Sequence, residues 1–415
     1  MGDLPIEELG KRTPLEAAET PNMDFLAEKG KTGLMYTVRK GVAPESDVAV
    51  ISILGYDPFE YSPGRGILEA VGAHLTLKDG DLALRCNFAT LGNGNRIIDR
   101  RAGRNLATEE ATELSKAANE NVKLESYPAD FEFKNTVGHR AVLVIRSRGK
   151  PLSSKITNTD PAYARIGELG VAETKVDIVL KRCESMDETE EAKISAGLVN
   201  EFTENSHRVW ENHEINRRRV AEGKLKANVV LARDAGHLLP RFFNISEKYK
   251  VNFVSLTDMP VERGISKLAG MRIAILPPPS PDLKSDCELR VKELLDVLPS
   301  YDAFYIHIKG PDEPGHDGKY DLKTQLISII DKYFLGRLLE NMDLSNVIIC
   351  VTADHSTPCK LKAHSDDPVP LLICGDEIEG DNVSKFSEKE CKKGSLGVLD
   401  RGTELMPRLI QFIKK

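Results

Sequence analysis

The sequence predicts an α/β protein in which a doubly wound sheet carries an inserted α/β domain. Three observations predict it. From about residue 245 onward, apolar runs of strand length alternate with longer helical stretches, the pattern of a doubly wound α/β domain. The middle of the chain has a different rhythm, with isolated strand-like runs and two helices. The acidic helical start at residues 1–35 packs best with the C-terminal half, so residues 1–66 and 240–415 are expected to form one domain and residues 67–239 the insertion.

At the start, Thr13-Pro14-Leu15-Glu16-Ala17-Ala18 places a capping residue before a first-turn proline and helix formers. Residues 21–30 repeat that pattern and end in Gly30. Residues 45–54 read as a short buried helix that begins near Ser46 and is closed by Gly55. In the middle section, strands are expected at 82–88, 141–146 and 228–232, and helices at 108–120 and about 187–211. Ile194, Leu198, Phe202 and Val209 form one stripe of the second helix, which reads as core packing. Arg217-Arg218-Arg219 reads as a solvated face. Further on, strands fit 251–256, 272–276, 303–308, 346–352 and 369–374, and helices fit 285–297 and 321–341, with a proline-rich loop at 277–286.

Composition removes several function classes. A chain of 415 residues with 40% apolar and 29% charged residues has ample material for two domains. A formal net charge of −7 argues against a nucleic-acid footprint. No apolar run is long enough to span a bilayer, and residues 1–30 lack the apolar stretch of a signal peptide. The seven cysteines contain no CxxC pair, and Cys350 and Cys374 sit in strand-like runs, so a reduced, cytoplasmic protein is expected.

The chemistry gathers at strand ends. Val347–Ser356 is an apolar run closing in Asp354-His355, Asp312 and His316 follow the strand at 303–308, and His364 precedes the strand at 369–374. A parallel α/β sheet places its site at such ends. Carboxylate and imidazole together suit Mn²⁺, Zn²⁺ or Mg²⁺. The i, i+4 spacing of Asp312 and His316 would suit a helix, but Pro311, Pro314 and Gly315 point to a tight loop. Adjacent Asp354 and His355 point to opposite sides of an extended chain, so they serve one metal only if the chain turns at Ser356-Thr357-Pro358. Any one of these histidines alone reads as an ordinary loop residue; the repetition at strand ends favours a metal site.

Ser46 is the candidate nucleophile. At the start of a buried helix its oxygen meets free backbone N–H groups and the positive end of the helix dipole. Alone it reads as an N-cap serine. The third element is basic: Arg85, Arg100, Arg101, Arg104, His139, Arg140 and Arg233. Guanidinium groups bind phosphate and carboxylate bidentately, so such a set suits a small dianionic substrate, although spacing alone leaves open whether they converge.

Together these residues resemble the cofactor-independent (2,3-bisphosphoglycerate-independent) phosphoglycerate mutases of the archaeal type, in the alkaline phosphatase superfamily. The resemblance runs through Thr13–Ala18, Thr20–Gly30, Ser46–Tyr56, Arg85–Thr90, Asp99–Arg104, Gly138–Val142, Ile156–Pro161, Gly264–Met271, His307–Gly318, Thr352–Pro358 and Gly394–Met406. It implies an alkaline-phosphatase-like sheet with an inserted substrate-binding domain. It implies two divalent metals, Mn²⁺ first and Mg²⁺, Co²⁺ or Zn²⁺ as alternatives, and no 2,3-bisphosphoglycerate. Asp312, His316 and His364 would hold one metal; Asp354, His355 and Ser46 would belong to the other. Ser46 would become phosphoserine, Lys309 would neutralise charge at the phosphoryl group, and the seven basic residues would line the cleft for a phosphoglycerate, re-oriented between two in-line transfers. A phosphohydrolase or phosphopentomutase of the same superfamily, or a phosphometabolite-binding protein, stays open as an alternative. The oligomeric state is left open.

Two departures from the family carry expectations. The family opens with a buried strand ending in Asp-Gly, just before the segment matching Gly2–Pro5, and that aspartate ligates the metal shared with the serine. No residue here matches it, and Asp3 matches a later family position. Either a late start codon or a weakened serine-side metal site with low activity is expected. The prolines at 277–279 also replace a loop expected to be glycine-rich.

Overall fold

The computed structural model describes residues 1–166, 169–172 and 178–413. It divides into two compact units. The first comprises Met1–Tyr61, Phe242–Asp258 and Ala269–Lys415; the second comprises Ser62–Arg241 and Met259–Leu268. The helix Pro260–Leu268, expected with residues 240–415, therefore belongs to the second unit. The reason is a close helix crossing. A Cβ on Gly72 would lie 1.8 Å from the carbonyl oxygen of Pro260, and one on Gly264 would lie 1.8 Å from that of Leu68. Two glycines thus let the helices Arg65–Gly72 and Pro260–Leu268 pack backbone to backbone.

The first unit is mixed α/β, but its strands form two sheets where one doubly wound sheet was expected. Phe253–Leu256 lies between Arg272–Ile273 and Ala303–Ile306, all parallel. The other sheet runs Ile349–Val351, Val369–Cys374, Lys31–Met35, Gly397–Leu399. Within it Val369–Cys374 is antiparallel to both neighbours. The reason lies in the connections: a parallel pair needs a crossover of a dozen or more residues, usually a helix. The segment between Ile349–Val351 and Val369–Cys374 contains no helix, so the chain returns antiparallel. The strand expected at 272–276 stops at Ile273, ahead of Pro277-Pro278-Pro279, which offer no N–H to a ladder. Leu15, Leu26, Val254, Leu256, Ile327, Phe334, Leu372 and Phe386 fill the core of this unit.

The second unit is built on an antiparallel sheet. Leu82–Leu91 pairs with Arg140–Ser147, with Val229–Gly236 and, at its end, with Ile97–Asp99; Ala129–Asn135 flanks Arg140–Ser147. Both faces are covered. Leu82, Leu84, Cys86 and Phe88 face the helices Thr108–Asn121 and Glu190–Glu211 through Leu114, Leu198, Phe202 and Trp210. Ala83, Val142 and Val144 face the helix Arg65–Gly72 through Ile67, Ala70 and Val71. Arg219, expected on a solvated face, is fully buried. Its guanidinium donates to Glu110 (2.6 Å), Asn105 Oδ1 (2.6 Å) and the carbonyls of Leu225 (2.8 Å) and Ala102 (3.1 Å). Its donors thus meet the hydrogen-bond partners that a buried charge requires.

The glycine crossing gives a direct test. Gly72→Ala is expected to lower stability by about 1–3 kcal/mol through forced overpacking. Gly197→Ala, in a helix interior where an added Cβ meets nothing within 4 Å, is expected to raise it by up to about 1 kcal/mol. Denaturant midpoints measured side by side decide between these opposite signs.

Candidate metal centre and nucleophile

Asp312 and His316 do not lie on a loop. Asp312–Asp317 is a short helix that starts after Pro311 and ends at Gly318 in the left-handed region (φ 73°). Pro314 falls in its first turn, where no intrahelical N–H bond is required, so the proline that suggested a loop is tolerated. The i, i+4 spacing then puts His316 Nε2 3.4 Å from Asp312 Oδ1. His364 arrives from the loop that leads into Val369–Cys374, with Nε2 3.5 Å from the same oxygen. The ligand atoms of Asp312, His316 and His364 all lie within 4.8 Å of one another.

Proton positions on the imidazoles follow from their outer partners. His316 Nδ1 lies 3.2 Å from the Lys362 carbonyl and His364 Nδ1 2.8 Å from the Pro44 carbonyl. A carbonyl only accepts, so both Nδ1 atoms carry hydrogen and both Nε2 atoms of the neutral rings carry lone pairs. These two Nε2 atoms are 3.1 Å apart. The Asp312 carboxylate beside them raises the proton affinity of His316, so the trio attracts positive charge, met by a proton on His316 or by a divalent ion held between the three. An outward Nδ1–H on a backbone carbonyl is also the usual support of a metal-ligating histidine. The donor set therefore fits a divalent ion.

A second convergence lies beside the first, with the His355 and His364 rings stacked at 3.7 Å between centroids. The chain bends after Val351, so adjacent Asp354 and His355 meet: His355 Nε2 is 3.2 Å from Asp354 Oδ2. It is also 3.0 Å from Ser46 Oγ. Ser46 opens the buried helix Ser46–Ile53 and is itself 5% exposed. His355 Nε2 thus has an Asp354 carboxylate oxygen and the Ser46 hydroxyl oxygen both within 3.2 Å. Burial works against the Asp354 charge, but His355, His307 and Lys309 hold this carboxyl well below the usual range. Burial likewise opposes the Asp312 charge, and Lys309, His316 and His364 outweigh it, so Asp312 also stays ionised. Lys309 Nζ donates to Asp312 Oδ2 at 3.1 Å.

Of the basic residues, Arg85, Arg140 and Arg233 share a sheet face by register: Arg85 lies opposite Arg233 on one side and Val142 on the other, and Arg140 lies opposite Asn87. Buried Glu69, on the helix covering that face, takes Arg65 Nε (2.8 Å) and Arg85 Nε (3.2 Å) on one oxygen. Burial, then Arg233 and Arg65, pull the Arg85 guanidinium down to about 10. Burial, then Arg140, Arg85 and Arg104, pull His139 down to about 4. Arg104, exposed and held at φ 55°, and His139 therefore lie within the same positive field. Arg100 is engaged elsewhere, in a bidentate pair with Asp160 (2.8 and 2.7 Å). Arg233 is 97% covered and stacks 3.7 Å above the Tyr163 ring, which also lies 5.3 Å from Arg100. Arg101 is fixed through its backbone N–H, which donates to Asp99 (2.7 Å).

Four participants escaped the sequence reading. Thr357 donates to Asp312 Oδ1 (2.8 Å) and accepts from His355 Nδ1 (3.0 Å). Glu69, Asp160 and Tyr163 hold the arginines. Asp160 sits in Asn158-Thr159-Asp160-Pro161, a turn-type stretch whose signal is too common to single it out. Asp3 is not near a ligand role; its carboxylate pairs with buried Lys323 (2.7 Å).

Comparison with known proteins adds an independent finding. A family model described as 2,3-bisphosphoglycerate-independent phosphoglycerate mutase matches residues 27–216. The chain is 42% identical to the protein of that name from Aeropyrum pernix, over 97% of this chain and 95% of the other. It is 39% identical to the one from Thermococcus kodakarensis, over 100% and 95%. A solved structure from Pyrococcus horikoshii matches with a TM-score of 0.78 at 32% identity, covering 100% of this chain and 95% of that one. A cofactor-independent phosphoglycerate mutase from Thermoplasma acidophilum matches with a TM-score of 0.60 at 30% identity, over 99% and 97%.

The geometry gives two expected outcomes. His364→Ala is expected to weaken Mn²⁺ binding by at least about tenfold, read by calorimetric titration of chelator-stripped protein. His139 is expected to remain neutral through the physiological range, its ring resonances titrating near pH 4 and well below an ordinary histidine in an NMR pH series.

Proposed function

The chain belongs to the family of 2,3-bisphosphoglycerate-independent phosphoglycerate mutases, and we propose that it works as a metal-dependent isomerase with Ser46 as the phosphoryl acceptor. The reaction interconverts 2-phosphoglycerate and 3-phosphoglycerate, a step of glycolysis and gluconeogenesis. The observation that carries the Ser46 assignment is its oxygen, 3.0 Å from His355 Nε2 at the start of a buried helix.

In this reading Asp312, His316 and His364 hold one divalent ion, and Asp354, His355 and Ser46 the other. Bound ions would lower the pKa of the serine hydroxyl and neutralise charge on attacking and leaving oxygens. Mn²⁺ is the first candidate, with Mg²⁺, Co²⁺ and Zn²⁺ compatible with an oxygen–imidazole set. Ser46 Oγ loses its proton and takes the phosphoryl group from the ester oxygen of the phosphoglycerate; the Oγ–P bond forms as the ester O–P bond breaks, and the released glycerate oxygen takes up a proton. The other glycerate hydroxyl then takes the group back from Ser46. The backbone N–H groups opening the helix Ser46–Ile53 favour the negative charge that gathers on the phosphoryl oxygens. Lys309, on Asp312, adds a cation to the same locality.

The second unit supplies anion recognition. Arg85, Arg140, Arg104, Arg233 and His139 share a positive field, and Arg100 and Arg101 are assigned to the same substrate by the family resemblance. Buried Glu69 and Asp160 set the orientation of these cations, which suits a small molecule with phosphate and carboxylate groups. The first unit is then the phosphatase-like catalytic domain, with an alkaline-phosphatase-like arrangement, and the second the substrate-binding domain. The seven cysteines are all free, which supports a reducing, cytoplasmic location.

Ser46→Ala is expected to abolish mutase turnover, by about a thousandfold or more, while leaving the Asp312–His316–His364 ion bound. Phosphorus NMR on 3-phosphoglycerate with added Mn²⁺ reads the first, and metal analysis the second. Mutase turnover retained by Ser46→Ala rejects the phosphoserine route.

A further inference from the structure

We propose that Thr357 is a positioning residue that fixes the spacing between the two ligand groups, and that the buried Lys323–Asp3 pair holds it in place. The inference rests on the metal-dependent reading above and extends it to residues that touch neither substrate nor ion.

The Thr357 hydroxyl has one arrangement available. Asp312 Oδ1, 2.8 Å away, only accepts, so Thr357 Oγ1 donates to it. The same oxygen therefore accepts from His355 Nδ1, 3.0 Å away. That bond fixes the His355 tautomer with its Nε2 lone pair toward Ser46. A single hydroxyl, 2% exposed with its residue, thus links the Asp312–His316–His364 group to the Asp354–His355–Ser46 group.

The backbone beneath it is held by charge. Lys323 is 1% exposed, and its ammonium has three donors and three acceptors: Thr357 O (2.9 Å), Gly2 O (3.0 Å) and Asp3 Oδ2 (2.7 Å). Thr357 N–H donates to Gly2 O (3.1 Å), and Cys359 N–H donates to the Asp3 carboxylate (3.1 and 3.2 Å). Gly2 also bridges to Ser356, and a Cβ there would lie 2.1 Å from Ser356 Oγ. The turn that carries Thr357 is therefore tied at residues 356, 357 and 359 to Gly2, Asp3 and Lys323. Removing one partner of such a buried pair leaves an uncompensated charge, so the tie is strongly enforced.

The test compares Thr357→Val, which keeps the shape and removes both hydrogen bonds, with Thr357→Ser, which keeps the hydroxyl. Chelator-stripped full-length protein is titrated with Mn²⁺ by calorimetry, the Co²⁺-loaded form is read by its visible spectrum, and kcat and KM are measured on 3-phosphoglycerate. Thr357→Val is expected to bind Mn²⁺ about 10–100-fold more weakly and to lose kcat by a similar factor. Its KM is expected to stay within about threefold, because the anion-binding cations are untouched. Thr357→Ser and Lys323→Arg are expected to fall between Thr357→Val and wild type. Should Thr357→Val fail to fold, Thr357→Ala is read in its place. Wild-type Mn²⁺ affinity and an unchanged Co²⁺ spectrum in Thr357→Val overturn the inference alone. A wild-type chain that binds no ion overturns the metal-dependent reading, and this inference with it.

Discussion

The site depends on one constraint: each of three imidazoles spends its Nδ1–H on an outward acceptor, leaving three Nε2 lone pairs pointed inward. Two of those acceptors are backbone carbonyls, of Lys362 and Pro44, and the third is the Thr357 hydroxyl. None of the three rings is free to rotate without losing that bond, so the tautomer and the aim are set together. The inward ring nitrogens lie beside the ionised Asp312 and Asp354, a concentration of negative potential that raises the proton affinity of His316.

The second unit solves the complementary problem of gathering positive charge. Antiparallel register puts Arg85, Arg140 and Arg233 on one face, where a covering helix would ordinarily demand apolar partners. That helix answers with Glu69, and the loop before the Tyr163 strand answers with Asp160. Each carboxylate restrains arginines without cancelling the field: beyond burial, Arg140, Arg85 and Arg104 still push His139 down. Arginines so restrained lose little further freedom when an anion arrives, which is the value of preorganisation.

Much of this was legible from residue order. An apolar run closing in acid and histidine singled out Asp354 and His355, positions beside neighbouring strands singled out Asp312, His316 and His364, and the stretch around Ser46 gave a buried helix beginning at that serine. The central strands and the two long helices of the second unit lie close to where periodicity put them. What escaped has physical reasons. Proline and glycine within 311–318 masked a helix only six residues long. Lys31–Met35 lacks the apolar alternation of a strand because it is read by its neighbours Val369–Cys374 and Gly397–Leu399, partners more than three hundred residues away. Arg219 looked solvated because its acceptors, at residues 102, 105, 110 and 225, are brought in only by the tertiary fold. Thr357 is a common residue in a turn, and nothing local marks a hydroxyl that bridges two ligand groups.

The antiparallel return from Ile349–Val351 to Val369–Cys374 ties topology to chemistry. A crossover helix there would have made the pair parallel, as the alternation of strands and helices suggests. The connection instead carries Asp354, His355, Thr357 and His364, so the site occupies the length a helix would need. Such a loop cannot be held by a buried apolar stripe. It is held by polar ties: the Ser356–Ser365 bridge, the Lys323 ammonium on the Thr357 carbonyl, and the Asp3 carboxylate on the Cys359 N–H. Polar ties therefore order it, and each lies within a few residues of Asp354, His355 or His364. The same interactions that keep a helix-free connection rigid also set the geometry in which Ser46 meets its partners.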